Sequence, residues 1–154
     1  MPDGTVRVIG FTRGYDENSS VRKAYLERAL NLGTDNPYLK CRALIDRYFE
    51  RAGHNWTDTS TLPLRRVFVS ELDACVQAAG ERVLPDVMRL LSTAYSHVGD
   101  PHNACAWLQR TYRFESASFD TKTWISLFGD VQSRAGNPVP GVPKFPGFTC
   151  SMPK

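Results

Sequence analysis

The chain lacks the short signatures that announce most chemistry. It has no Walker-type phosphate loop, no GxGxxG, no GxSxG and no HExxH, so nucleotide, dinucleotide, hydrolase and zinc-protease motifs are all missing. No apolar run approaches the length of a membrane span, and Met1-Pro-Asp-Gly4 reads neither as a signal peptide nor as an Arg-rich transit peptide. A strong charge of either sign is missing too. The net charge is +3, and Arg42, Arg47, Arg51, Arg65 and Arg66 are interleaved with Asp46, Glu50 and Glu71 as on solvated helix faces. That balance offers little attraction for nucleic-acid phosphate. The four cysteines, Cys41, Cys75, Cys105 and Cys150, lie far apart and form no CxxC pair, which predicts no disulfide framework and a reducing interior, cytosolic or organellar. Two sequons, Asn18-Ser-Ser20 and Asn55-Trp-Thr57, read as chance occurrences without a secretory signal.

What is present is helical punctuation. The length of 154 residues suits one domain whose core needs neither metal nor cross-link. Residues 1–19 form an arm with a short β-like patch, Val6 to Phe11. Ser20 can cap a helix with Val21, Tyr25, Ala29 and Leu32 at helical spacing, closed by Gly33. Asn36-Pro37 opens the next helix, which carries Leu44, Tyr48 and Phe49 and ends at Gly53. A polar loop, 55–61, has Trp56 as its anchor. Further helices are predicted over 63–79, 85–98, 101–113 and 121–135, with Asp100-Pro101 and Asp120-Thr121 as clear starts. Short connections make neighbours antiparallel. The predicted fold is all-α: a stack of antiparallel helical hairpins, an α-solenoid of six or seven helices over 20–136. From 137 to 154, Pro138, Pro140, Pro143 and Pro146 impose an extended tail.

Four segments end in a small residue and glycine, at Gly53, Gly80, Gly99 and Gly136. Nine and eight residues before each glycine stand Leu44-Ile45, Glu71-Leu72, Leu90-Leu91 and Leu127-Phe128; five and four before it stand Tyr48-Phe49, Cys75-Val76, Ala94-Tyr95 and Val131-Gln132. These offsets differ by one helical turn and form one buried stripe. The third segment continues with Ala104, Leu108 and Tyr112, and the next glycine falls 37 residues after Gly99. Residues 85–136 thereby resemble a pentatricopeptide repeat, close kin in its logic to the tetratricopeptide repeat. The other glycine intervals are 27 and 19 residues, so the resemblance over 20–84 is loose.

The resemblance implies two functions. One is reading single-stranded RNA in an organelle, with Ala43, Ser70, Arg89 and Ser126 at the base-reading place; of these Ser70 and Ser126 are the suitable types. The other is a non-catalytic scaffold that binds protein. The chain is similar in size and hairpin number to the pentatricopeptide-like accessory subunits of euglenozoan mitochondrial ATP synthases, which implies a place on the outside of the catalytic head, the α-subunit as partner and a matrix location. The protein-binding alternative is preferred, because few imperfect repeats on a weakly charged chain give little RNA affinity. The Pro-rich tail suits a strap inserting Phe145, Phe148 and Met152 into a partner, with its removal leaving the bundle intact; folding back on its own bundle is the competing expectation. His97, His102 and Cys105 have the types of zinc ligands but straddle a turn without a fourth ligand, and Cys105 reads as a small packing residue. Trp107 and Trp124 read as core. No catalytic residue, cofactor site or metal site is assigned.

Overall fold

A computed structural model describes residues 36–153; the predicted arm and the helix from Ser20 to Gly33 lie outside the described residues. Five α-helices follow in order: α1 (Pro37–Ala52), α2 (Leu62–Ala79), α3 (Pro85–Ser96), α4 (Pro101–Glu115) and α5 (Thr121–Gly136). Single 3-10 turns at Thr59–Thr61, Gly80–Arg82 and Ser116–Ser118 precede α2 and follow α2 and α4. Among the described residues there is no strand, so the all-α expectation holds. No helix there is long and apolar enough to cross a membrane.

The helix starts obey local chemistry. Asn36 Oδ1 accepts from the Tyr38 and Leu39 amides, Asp100 from Asn103 and Asp120 from Thr123, each satisfying a donor that the first turn leaves open. Pro37, Pro85 and Pro101 open their helices where no amide is needed. The ends are less regular. α3 stops two residues short of the predicted Val98, because the Val98 and Gly99 amides turn to the Tyr95 and Ser96 carbonyls three residues back, Gly99 takes positive φ, and Asp100 N–H returns to Tyr95 O at 3.0 Å. Gly53, Gly80 and Gly99 take positive φ, whereas Gly136 stays inside α5 and Asn137 caps it.

α1 packs on α2, α2 on α3, α3 on α4 and α4 on α5, with an additional contact between α3 and α5. One core cluster joins α1, α2 and α3 through Ile45, Phe68, Leu72, Val76, Val87 and Leu91. A second joins α4, α5 and the tail through Leu108, Trp124, Phe128, Val131 and Cys150. Each side chain of this size contributes roughly 1.5–3 kcal/mol when fully buried, so these clusters carry the fold. The topology also changes the meaning of the four glycine-ended segments. Gly53 and Gly80 close the two partners of one hairpin, so the segments are not equivalent units of a single array.

The predicted absence of disulfides is overturned. Cys41 of α1 is bonded to Cys75 of α2, and Cys105 of α4 to Cys150 of the tail. Wide spacing in sequence said nothing about separation after hairpin closure; the Cα atoms stand 5.9 and 5.8 Å apart, within ordinary disulfide reach. Cys105 is therefore a cross-link rather than a packing residue. The bridges span 34 and 45 residues, and chain-entropy reasoning gives each about 4 kcal/mol of stabilisation.

The tail folds back on its own bundle. Phe145 N–H donates to Ala135 O at 2.7 Å, Cys150 N–H to Gln132 Oε1 at 2.6 Å, and Gln109 Nε2 to Ser151 O at 3.0 Å. Phe148 and Met152 pack against the second cluster. The expectation that removal of the strap leaves the bundle intact does not survive this anchoring, since the tail completes a core and is covalently tied to it.

Candidate functional site

The turn from His97 to Asp100 gathers four parts of the chain: α2, the α1–α2 loop, the end of α5 and the tail. Arg65 of α2 is completely buried. Its Nη1 donates to His97 O at 3.1 Å, and its Nη2 to Asp58 O at 2.9 Å and Thr61 Oγ1 at 3.1 Å, while Nε is buried without a partner. These acceptors are all neutral. The Asp58 carboxylate instead accepts from Ser60 N–H and Oγ–H at 3.0 and 2.7 Å; those bonds hold its pKa below the usual range, with Arg65 a lesser influence.

His97 is 8% exposed. Its Nδ1 lies 2.9 Å from Thr93 O, so Nδ1 carries the proton and Nε2 is left as an acceptor. Burial pushes the His97 pKa down to about 4; the Thr93 carbonyl opposes that shift, and the Arg134 and Arg65 guanidinium groups add to it. The ring stacks on Trp56 with centroids 5.2 Å apart, Trp56 stacks on Tyr48 at 5.9 Å, and Tyr48 on Phe68 at 4.2 Å. An aromatic column thus runs from the α2 core to the turn, and Trp56 anchors its loop as expected.

On the far side the tail crosses Gly99. A Cβ there would stand 2.7 Å from Val142 Cβ and 2.8 Å from Pro143 Cδ, and φ is +80°, so only glycine fits. Between the turn, α5 and the tail lies a cavity of about 120 Å³, lined by Thr57, Ser96, His97, Arg134, Asn137 and neighbouring tail residues. Ser96 Oγ is buried there without a hydrogen-bond partner. Ser96 and His97 are therefore no activated nucleophile pair, because the hydroxyl does not reach the imidazole. A smaller cavity, about 80 Å³, lies between α3, α4 and α5 and includes Arg89, Asp130 and Arg134.

The residues singled out in the sequence fall elsewhere. Phe145 and Phe148 are half-buried with their rings edge-on to His102 at 5.8 and 5.0 Å, and Met152 is half-buried as well. Ser70 on α2 and Ser126 on α5 are exposed, and Ala43 is buried. Arg89 is tied down: its Nε donates to Glu115 Oε1 at 2.6 Å and its guanidinium lies 5.0 Å from the Phe119 ring centroid. His97, His102 and Cys105 do not converge, and among the described residues no group of three His, Cys, Asp or Glu side chains is placed to hold a metal. Trp107 and Trp124 are buried, as expected of core. The pattern reading missed Arg65, Ser96 and Arg134. Arg65 had a signal: it falls in the register of Leu62, Val69, Leu72 and Val76, a charged residue on a buried stripe.

No family model matches the chain, and no curated protein or solved structure does. The likeness to pentatricopeptide repeats rests on the residue pattern alone.

Proposed function

We propose that this chain is a non-catalytic helical-repeat scaffold that binds a protein partner within a larger assembly. The supporting observation is the packing of α3, α4 and α5. α3 pairs with α4 and also touches α5, as the first helix of one repeat touches the first of the next. Ser92 Oγ donates to Ala104 O at 2.6 Å, a close helix approach at the small residue that the repeat pattern requires. Leu108 is buried, and Tyr112 meets the Trp124 ring at 5.0 Å, bridging the layers.

A macromolecular partner suits the exposed apolar side chains. The two cavities described above, of about 120 and 80 Å³, are smaller than ordinary substrate pockets. Val67, Phe114 and Ile125, on three different helices, are each more than half exposed. RNA reading is the weaker alternative, because Arg89 is engaged with Glu115 and Phe119. The resemblance would name the ATP synthase α-subunit in a mitochondrial matrix as partner. Two disulfides favour an oxidising compartment, so the proposal is for a protein partner without that specific identity.

The test is affinity purification of the full chain with nuclease treatment, followed by mass spectrometry. A partner retained after nuclease and lost with Val67→Asp or Ile125→Asp, at unchanged circular dichroism, supports the scaffold. Loss of every partner on nuclease treatment overturns it.

A further inference from the structure

We propose that the cavity beneath the α3–α4 turn is a binding site for a small oxyanion, a carboxylate or a phosphate-type group. The inference stands independently of the protein-partner reading. Its first support is Ser96, a buried hydroxyl on the cavity wall that has no hydrogen-bond partner in the protein. A buried hydroxyl that the protein itself leaves without a partner calls for one from whatever occupies the cavity. The second support is charge. Arg134 of α5 lines the cavity, and Arg65 of α2 stands behind His97 with all its bonds made to neutral oxygens.

No Asp or Glu is among the residues lining the cavity, and Asp100, in the same turn, accepts from Asn103 N–H and Nδ2–H. Asp58, on the loop before α2, is held by Ser60. Asp130 of α5 lies on the neighbouring cavity, and among the described residues no ion pair joins it to Arg134. From α3 itself, the group facing His97 is the neutral Thr93 carbonyl. One guanidinium, that of Arg134, therefore lines a hollow that holds Ser96, His97, Thr57 and Asn137 beside apolar tail atoms and no carboxylate, with the Arg65 charge behind His97; a guanidinium so placed can make charge-assisted hydrogen bonds to an oxyanion. A volume of about 120 Å³ is several times the roughly 10–15 Å³ that suffices to hold one water, and accommodates a compact anion.

His97 gives the site a pH signature. His97 lines the cavity with Nδ1 bonded to Thr93 O and Nε2 unprotonated; an anion bound beside the ring favours protonation of Nε2, which then becomes a donor. Anion binding therefore takes up a proton, and affinity rises as the pH falls toward His97 protonation.

The experiment titrates the full, oxidised chain with sodium phosphate and, separately, with sodium acetate, at constant ionic strength set by chloride. Isothermal calorimetry reports binding and NMR follows the His97 imidazole. The expected result is a saturable response, an upward shift of the His97 titration midpoint, and affinity about tenfold weaker in Arg134→Gln and in Ser96→Ala. Arg110→Gln, placed over Trp107 away from the cavity, should bind as the natural chain does. Saturation by phosphate alone, by acetate alone or by both supports the site and identifies its source chemistry. No saturable response to either anion overturns the proposal, as does equal binding by the natural chain, Arg134→Gln and Ser96→Ala.

Discussion

Arg65 and His97, 32 residues apart in sequence, are joined by a 3.1 Å hydrogen bond from guanidinium to carbonyl, and through it α2 holds the turn that ends α3. The same guanidinium fixes Asp58 and Thr61 at the entry to α2. One side chain thus sets both the start of its own helix and the end of its neighbour.

Replacement of this arginine discriminates between two physical outcomes. Removing a buried charge can stabilise a protein when apolar atoms take its place, but here the change leaves two carbonyls without their donor. Arg65→Met should lower stability by about 2–4 kcal/mol in urea unfolding, and Arg65→Lys should recover only part of that, lacking the forked geometry. An unchanged or raised midpoint for the methionine variant would refute the role given to these bonds.

The two glycines at 99 and 136 should respond oppositely to alanine. Gly99→Ala meets Val142 and Pro143 at under 3 Å and strains a positive φ, so it should cost about 2 kcal/mol or more and loosen the tail. Gly136 is helical with open space around its Cβ position, and its alanine variant should be neutral or stabilising by up to about 1 kcal/mol. Thermal midpoints of the pair, measured side by side, give the comparison.

Cys150→Ser should destabilise the chain by about 2–4 kcal/mol and open the tail to protease. Limited proteolysis of the oxidised chain, the reduced chain and the variant checks this. Reduction should reproduce the variant's cleavage pattern near 139–150, and protection of the tail under reducing conditions would show that noncovalent packing suffices.

His97 makes stability depend on mild acidity. Its folded pKa, about 4, lies below the unfolded value of about 6.5, so the unfolded chain binds the proton first. The contribution of this residue is complete above pH 6.5 and is lost as pH falls from there through about 4. Urea midpoints across that window should decline on acidification, and the decline should be shallower in His97→Gln.

Helix positions were legible because caps and prolines act locally. Asn36, Asp100 and Asp120 each bond to amides two or three residues ahead, so their effect can be read without knowing the fold. Cysteine pairing was illegible for the opposite reason: Cys41 meets Cys75 only after two helices have turned antiparallel. The candidate site divides along the same line. Trp56 stood out as an anchor in a polar loop, whereas Ser96 and Arg134 acquire meaning only where α3, α5 and the tail converge. Arg65 lies between these cases, visible as a charge in an apolar register but with bonding partners that only the fold supplies.

The two disulfides divide the described chain into mechanically unequal parts. Residues 41–75 and 105–150 form closed rings, and α3 is the one described helix lying wholly outside both. Tension applied to the chain ends bypasses the rings, which withhold about 120 and about 150 Å of extensible length at roughly 3.4 Å per residue. The load falls on α3 and on the contacts that hold it between its neighbours. Between the rings, under force, it is residues 76–104 with α3 at their middle that extend, while the covalent rings on either side keep their length.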